Sequence, residues 1–286
     1  MHNSASGVYT DFYRMAATLE LLMAEARRRA AQSRAAADTR QLEQRAASHV
    51  PRGFHRHLQA VAATGPAVIA ELKKASPSKG IIRSAFHVGG IAFQLASAGA
   101  AALSVLTEED HFLGSLNNLL EASAATELPC LRKDFIVDPF QLLEARAHCA
   151  DAILLIVAGL TQPELRSLYS KAKEYDLDVL VEVHDEQELG RAMEIGADTI
   201  GVNSRNLKTF QVDLQTSIRL SNLLPAGVLR VAESGIHTAH DMAMLRAAGF
   251  QAFLIGESLM RADYPGSALR ELLDAAAVAE SSGAVN

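Results

Sequence analysis

From Val68 onward, apolar and polar positions repeat one unit: a short apolar run, then a longer segment whose apolar residues recur at helical spacing. The repeat length of roughly 20 to 30 residues is the one expected of strand-then-helix units. Eight runs read as strands: Val68–Lys73, Ala102–Leu106, Leu128–Lys133, Ala152–Val157, Asp178–Val183, Thr199–Asn203, Leu229–Glu233 and Ala252–Gly256. Helical patterns between them and after the last cover about His87–Ala98, Leu116–Thr126, Pro139–Cys149, Gln162–Tyr175, Glu186–Ile195, Leu214–Leu223, Ala239–Ala248 and Gly266–Val278. Asp138-Pro139 and Thr161-Gln-Pro163 are helix-entry signals, since proline fits the first helical turn. Glycine follows several of the helical patterns, as at Gly99, Gly196 and Gly249, where the chain must turn. Eight such units in 286 residues predict an α/β fold, a closed (β/α)8 TIM barrel, ahead of an open doubly wound sheet. No Gly-x-Gly-x-x-Gly follows the first strand, which weakens a dinucleotide-binding alternative.

Before the repeats, the pattern from about Tyr9 to Ala47 favours helix, with Leu19, Leu22, Met23 and Ala26 forming an apolar stripe. Pro51-Arg-Gly53 breaks it, and a second short helix is expected over Phe54–Ala62. The chain therefore reads as a single barrel domain over 1–286, with residues 1–62 as an N-terminal helical extension and no second catalytic domain after Val278.

Composition narrows the partners. The sequence is 49% hydrophobic and 21% charged, suiting a globular protein, and its formal charge of −6 carries no dominant basic run. Nucleic acid is not an expected partner, and an anionic ligand needs a local site. Two cysteines, Cys130 and Cys149, without Cys-x-x-Cys spacing, signal neither a disulfide framework nor a zinc site. No apolar run approaches the roughly 18 residues of a membrane helix and no secretory signal core begins the chain, so a cytoplasmic protein without a membrane partner is expected. Asp11, Glu20, Glu25, Asp38 and Glu43 argue against a transit peptide.

Candidate chemistry collects at the strand ends, where a barrel of this kind carries its catalytic groups. Strand one ends in Glu71 and Lys73, and strand two runs into Thr107-Glu-Glu-Asp-His-Phe112. Strand three ends in Arg132-Lys133-Asp134, strand five in Glu182-Val-His184 and strand six in Asn203-Ser-Arg205-Asn206. Strand seven ends in Glu233-Ser-Gly235 and strand eight in Gly256-Glu-Ser258; only strand four, at Ala158-Gly159-Leu160, lacks such groups. Because side chains alternate along a strand, Glu71 and Lys73 share a face with Ile69, Lys133 with Leu131, Glu182 with Leu180, and Asn203 with Gly201. Two lysines, two glutamates and an amide then converge in one mouth, while Arg132, Val183 and Val202 face the helices. Charge pairing keeps such groups ionised and burial opposes it, a balance that can poise a lysine as acid and a glutamate as base. The glycines after strands seven and eight, with Ser76-Pro-Ser78-Lys79-Gly80 after strand one, suggest an anion site built on backbone N–H groups and hydroxyls.

These residues sit in a longer series: Ile69-Ala-Glu-Leu-Lys-Lys-Ala-Ser-Pro-Ser-Lys-Gly80, Leu103-Ser-Val-Leu-Thr-Glu-Glu109 with Phe112-Leu-Gly-Ser115, Arg132-Lys-Asp-Phe-Ile-Val-Asp138, Leu180-Val-Glu-Val-His184, Gly201-Val-Asn-Ser-Arg-Asn-Leu207, Val231-Ala-Glu-Ser-Gly-Ile236 and Leu254-Ile-Gly-Glu-Ser-Leu-Met260. In that order the series resembles the indole-3-glycerol phosphate synthase family of tryptophan biosynthesis. The resemblance implies closure of 1-(2-carboxyphenylamino)-1-deoxyribulose 5-phosphate to indole-3-glycerol phosphate with loss of carbon dioxide and water, without metal or organic cofactor. By resemblance Lys133 is the general acid, Lys73 holds the substrate carboxylate and assists proton transfer, Glu182 is the acid/base group and Glu71 a second carboxylate of the site. Asn203 and Arg205 orient substrate hydroxyl and carboxylate groups, and Phe112 packs near the anthranilate ring. Ser76, Gly235, Gly256 and the Glu257 backbone match the phosphate site, with Ser234 beside it.

Two departures stand out. Ser84-Ala-Phe-His-Val88 replaces an acidic turn before the first barrel helix, and Glu257 stands where some relatives have Ser or Thr, so its carboxylate must point away from the phosphate. The resemblance also implies that the N-terminal helix closes the mouth. A monomer is expected, with at most weak contacts to other enzymes of the pathway. The competing readings are a phosphoribosylanthranilate isomerase, which needs a cysteine and an aspartate where this chain has Lys73, Lys133 and Glu182, and a non-catalytic scaffold, which leaves the lysines and glutamates without a use.

Overall fold

The computed structural model describes residues 18–206 and 211–281; the predicted helical residues before Thr18, and Leu207, lie outside them. Eight parallel strands close into a barrel: β1 Ala67–Leu72, β2 Ala102–Leu106, β3 Cys130–Lys133, β4 Ala152–Ile156, β5 Asp178–Val183, β6 Thr199–Asn203, β7 Leu229–Glu233 and β8 Ala252–Ile255. Each strand pairs with its neighbours in sequence, and β1 closes the ring against β8 with Ala67 opposite Ala252. Every residue of β1, β2 and β4 is buried, as expected where helices cover one face and the barrel interior the other.

The connecting helices are α4 Val88–Ala98, α5 Leu116–Ala124, α6 Phe140–Ala147, α7 Gln162–Glu174, α8 Glu186–Glu194, α9 Leu214–Ser221 and α10 Ala239–Ala247; a short α11, Glu257–Arg261, and α12, Pro265–Ser281, follow β8. Their starts follow local chemistry. Thr161 and Glu164 form a capping box at α7, as Thr238 and Asp241 do at α10. At α4 the first residue is Val88 and His87 makes no side-chain cap, so the helix opens one residue later than its apolar pattern predicts.

Further boundaries differ from the sequence reading, among them β1, which spans Ala67–Leu72 and so leaves Lys73 just past its end. β3 begins at Cys130, after Pro129, instead of Leu128. Val157 leaves β4 for a 3-10 turn over Val157–Gly159, and Gly256 caps α11 instead of ending β8. The predicted helix from Tyr9 to Ala47 is two helices among the described residues, α1 Leu19–Ala36 and α2 Thr39–Ser48. Ala37 is extended and the Asp38 carboxylate accepts from the Gln41 N–H, starting a new helix.

The extension runs from one end of the barrel to the other. Along α1, Leu22, Met23, Ala26 and Ala30 are buried against the loops that follow the strands. Arg29 Nη1 lies 2.8 Å from Glu108 Oε1 and 2.5 Å from Asp110 Oδ2 in the loop after β2, while Arg34 pairs with Asp138 after β3. α2 packs on α6, which explains why every residue of α6 is buried. Near the strand starts, buried Asp151 accepts from the N–H groups of Arg52 (2.7 Å) and Cys130 (2.7 Å) and lies 3.0 Å from His49 Nε2. α3, Phe54–Ala62, then crosses that end, with His55 N donating to Asp178 Oδ2 and His55 Nδ1 2.7 Å from Thr199 Oγ1.

Phe54 and Leu58 on α3 are fully buried in the main core. Phe54→Ala is expected to lower unfolding stability by about 3–5 kcal/mol, the cost of emptying a full aromatic site, measured by urea unfolding. A loss below about 1 kcal/mol shows that the site collapses or that Phe54 is not part of the cooperative core.

Candidate active site

A cavity of about 420 Å3 opens among the loops at the C-terminal ends of the strands. Its wall contains every candidate named above: Glu71, Lys73, Ser76, Phe112, Lys133, Glu182, Asn203, Arg205, Ser234, Gly235, Gly256 and Glu257. Strand alternation brings together those that come from β1, β3, β5 and β6.

Just past the end of β1, Lys73 Nζ lies 2.6 Å from Glu71 Oε1. Two residues later the chain folds into a small antiparallel hairpin, Ala75–Ser76 against Gly80–Ile81, which turns the Ser76–Lys79 loop over the cavity. On β3, Lys133 Nζ sits between two carboxylates, 3.6 Å from Glu182 Oε2 and 3.8 Å from Glu233 Oε2. Asn203 on β6 helps to hold Glu182 ionised, and its Oδ1 accepts from the Arg205 N–H at 3.0 Å. Arg132 faces the helices as the alternation predicts, donating to the Gln141 carbonyl at 2.7 Å.

Burial works against every charge here, and the neighbours decide each case. Burial alone would lower the Lys133 pKa, but Glu182, Glu233 and Glu71 hold it above the ordinary lysine range. Burial would raise the Glu182 carboxyl, yet Lys133, His184 and Asn203 hold it well below the carboxylate range. Glu71 is likewise lowered, with Lys73 and Lys133 overcoming burial. Glu233 goes the other way: burial and the neighbouring Glu182 raise it well above the usual range, and Lys133 offsets only part of that. The site therefore favours the Lys133 ammonium and the Glu71 and Glu182 carboxylates, while Glu233 holds its proton more tightly than its neighbours. Two adjacent carboxyl groups pushed in opposite directions, beside a fixed cation, can give and take protons in one turnover.

Phe112 and Phe135 stand 6.3 Å apart between ring centroids, tilted by 53°, and with Leu19 and Leu22 of α1 give the cavity an apolar side. Across from them, Ser234 and Gly235 after β7 both have positive φ, 65° and 77°, a sharp backbone turn that only Gly235 adopts without strain. At Gly256 a Cβ would stand 2.9 Å from the Glu71 Cβ and closer still to its carboxylate, so glycine lets the end of β8 pass against the β1 carboxylate. The Glu257 carboxylate lies 3.0 Å from Arg261 Nε, one turn on in α11, and 3.8 Å from Lys79 Nζ. Among the described residues no group of three or more His, Cys, Asp or Glu is placed to hold a metal ion, and no helix is long and apolar enough to cross a membrane.

Four residues that line or touch the site have no place of their own in the sequence-derived cluster, although Glu108, His184 and Glu233 stand among its strand-end groups. Glu233 was assigned only to the anion loop, although it alternates with Leu229 and Val231 just as Glu182 does with Leu180, and the same test would have turned it inward. Phe135 lies past a strand end, where alternation gives no direction. Glu108 lines the cavity and accepts from the N–H groups of Asp110, His111 and Phe112, a loop conformation that no spacing rule predicts. His184 touches Glu182 from behind the cavity wall.

Comparison with known proteins gives a consistent result. The family model for indole-3-glycerol phosphate synthase matches residues 19–272. An indole-3-glycerol phosphate synthase of Koribacter versatilis is 58% identical over 259 residues, covering 91% of this chain and 100% of the relative. That of Acinetobacter baylyi is 52% identical over 222 residues, covering 77% of this chain and 82% of the relative. Among solved structures, KGPDC from Streptococcus mutans matches with a TM-score of 0.59 at 12% identity, over 75% of this chain and 99% of that one. Thiamine phosphate pyrophosphorylase from Pyrococcus furiosus matches with a TM-score of 0.55 at 16% identity, over 76% and 98%. At those identities the likeness to solved structures is one of fold.

Proposed function

The chain belongs to the indole-3-glycerol phosphate synthase family, and from that premise we propose how its cavity carries out the family's reaction. That reaction is this chain's: a carboxy-lyase step of tryptophan biosynthesis, closing 1-(2-carboxyphenylamino)-1-deoxyribulose 5-phosphate to indole-3-glycerol phosphate with loss of carbon dioxide and water. The observation that carries the mechanistic reading is the Lys133 ammonium held between Glu182 and Glu233 at the cavity floor.

In this reading the substrate lies across the mouth. Its phosphate meets Ser76 and the backbone of Gly235, Gly256 and Glu257, with Ser234 alongside; its carboxylate meets Lys73, and its ring lies against Phe112. Asn203 and Arg205 orient the sugar hydroxyls and the carboxylate. As the ring carbon bearing the carboxylate attacks the keto carbon, negative charge builds on the keto oxygen, and Lys133 delivers a proton there. Carbon dioxide then leaves with its bonding electrons returned to the ring system. Loss of the new hydroxyl as water needs a proton on the oxygen and removal of one from the ring system. Glu182, ionised, removes it, with Lys73 assisting proton transfer and Glu71 fixing Lys73 in place. No step calls for a metal or organic cofactor.

Beyond the site, we read residues 1–286 as one domain acting as a monomer in the cytoplasm, with residues 1–62 as the extension that closes the mouth. Leu19 and Leu22 in the cavity wall support that role for α1.

The phosphate end has its own test. Inorganic phosphate is expected to inhibit competitively with substrate, and Gly235→Asp to raise KM at least about tenfold by setting a carboxylate against the anion. The substitution also strains a backbone at φ 77° and presses on Val212 and Leu214. Inhibition that is not competitive, or a Gly235→Asp enzyme with native KM, removes the phosphate from this loop.

A further inference from the structure

His184 is unused in the mechanism above, yet it is the cation behind the proposed base. Its Nε2 lies 3.3 Å from Glu182 Oε1, within ion-pair range but out of line for a hydrogen bond, and it has no other partner. Its Nδ1 lies 3.0 Å from Glu188 Oε2, which also accepts the His184 backbone N–H at 2.8 Å. Glu188 is itself fixed on the first turn of α8, where its N–H donates to the capping Asp185 carboxylate at 2.8 Å. The ring is thus oriented by a helix start, while its side chain stays only 11% exposed and outside the cavity lining.

We propose that His184 is a positioning residue for Glu182: anchored by Glu188, it holds Oε1 from behind, so that Oε2 stays turned toward Lys133 and the substrate. The inference rests on the reading of Glu182 as the base. Glu182 is then gripped from two sides, with Lys133 from β3 at one oxygen and His184 at the other, while Asn203 from β6 also favours its ionised form. Glu71 from β1 and Glu233 from β7 face it as carboxyl groups and oppose its ionisation. Among the described residues Glu182 and Glu188 are the carboxylates paired with His184; they outweigh burial and raise it to about 10, which favours the imidazolium. The loose Nε2 contact fits a site that tightens when substrate arrives.

The test is the dependence of kcat on pH for the native enzyme, His184→Gln and Glu188→Gln, with thermal unfolding as the control for folding. Glu182 works ionised, so removing a cation beside it raises the pH at which it takes up a proton. The acid limb is expected to move upward by about one pH unit in His184→Gln, a roughly tenfold change in that equilibrium, and in the same direction by less in Glu188→Gln. On the plateau above the limb, kcat should change far less. A purely structural role lowers stability or the plateau and leaves the limb in place. If Glu182→Gln is inactive and neither variant moves the limb, the positioning role of His184 is wrong. If Glu182→Gln retains native turnover, the reading of Glu182 itself has failed. Should His184→Gln not fold, Glu188→Gln decides the matter, because it leaves the histidine in place.

Discussion

Lys133→Ala is expected to lower kcat by at least about 10²-fold, the low end for a positioned acid, while leaving the barrel folded. The size follows from the step: without the ammonium, charge building on the keto oxygen faces Glu182 and Glu233 with no donor between them. Removing a buried cation usually costs stability, because its partners are left uncompensated. Here the cost is limited. Burial and Glu182 favour the neutral form of Glu233, so it loses little with the cation gone, and Glu182 keeps His184 beside it. Steady-state kinetics beside a thermal melt separate the two effects. A folded Lys133→Ala enzyme with native kcat would remove Lys133 from the acid role.

Glu182→Gln should fall by a comparable factor, about 10²-fold or more in kcat, but at a different point in the reaction. The amide keeps the size of the side chain and loses the ability to take a proton. Lys133 stays cationic and Lys73 keeps its grip, so ring closure and loss of carbon dioxide can proceed while dehydration stalls. In a single turnover, carbon dioxide is expected to appear without a matching amount of indole product. Glu233 should ionise more readily once Glu182 is neutral, since Glu182 is, after burial, what raises it, and that replaces the missing negative charge beside Lys133. Loss of both products together would place Glu182 before decarboxylation.

Much of this site was legible in the sequence because barrel geometry turns strand alternation into position. Ile69, Glu71 and Lys73 share a face, as do Leu180 and Glu182, and once eight strands close with their ends at one rim those faces meet. The break in the extension was harder to see. Asp38 is an ordinary helix-compatible residue until its carboxylate caps Gln41, and only contact with the barrel shows that two helices are needed to pass around it. The grip of Glu108 on the N–H groups of Asp110, His111 and Phe112 is also a tertiary property, tied to Arg29 from a helix some eighty residues earlier. Glu257 shows a third kind of limit. Its identity raises the question of a carboxylate beside an anion, but its pairing with Arg261 one turn later in α11 and with Lys79 across the cavity is a spatial fact that residue type alone does not carry.

The most direct test of the whole scheme is to mix the purified chain with 1-(2-carboxyphenylamino)-1-deoxyribulose 5-phosphate and follow indole fluorescence and released carbon dioxide together. The expected result is a rise in both, one carbon dioxide per indole formed, suppressed by inorganic phosphate and lost in Lys133→Ala. Folded native protein that yields neither product contradicts it.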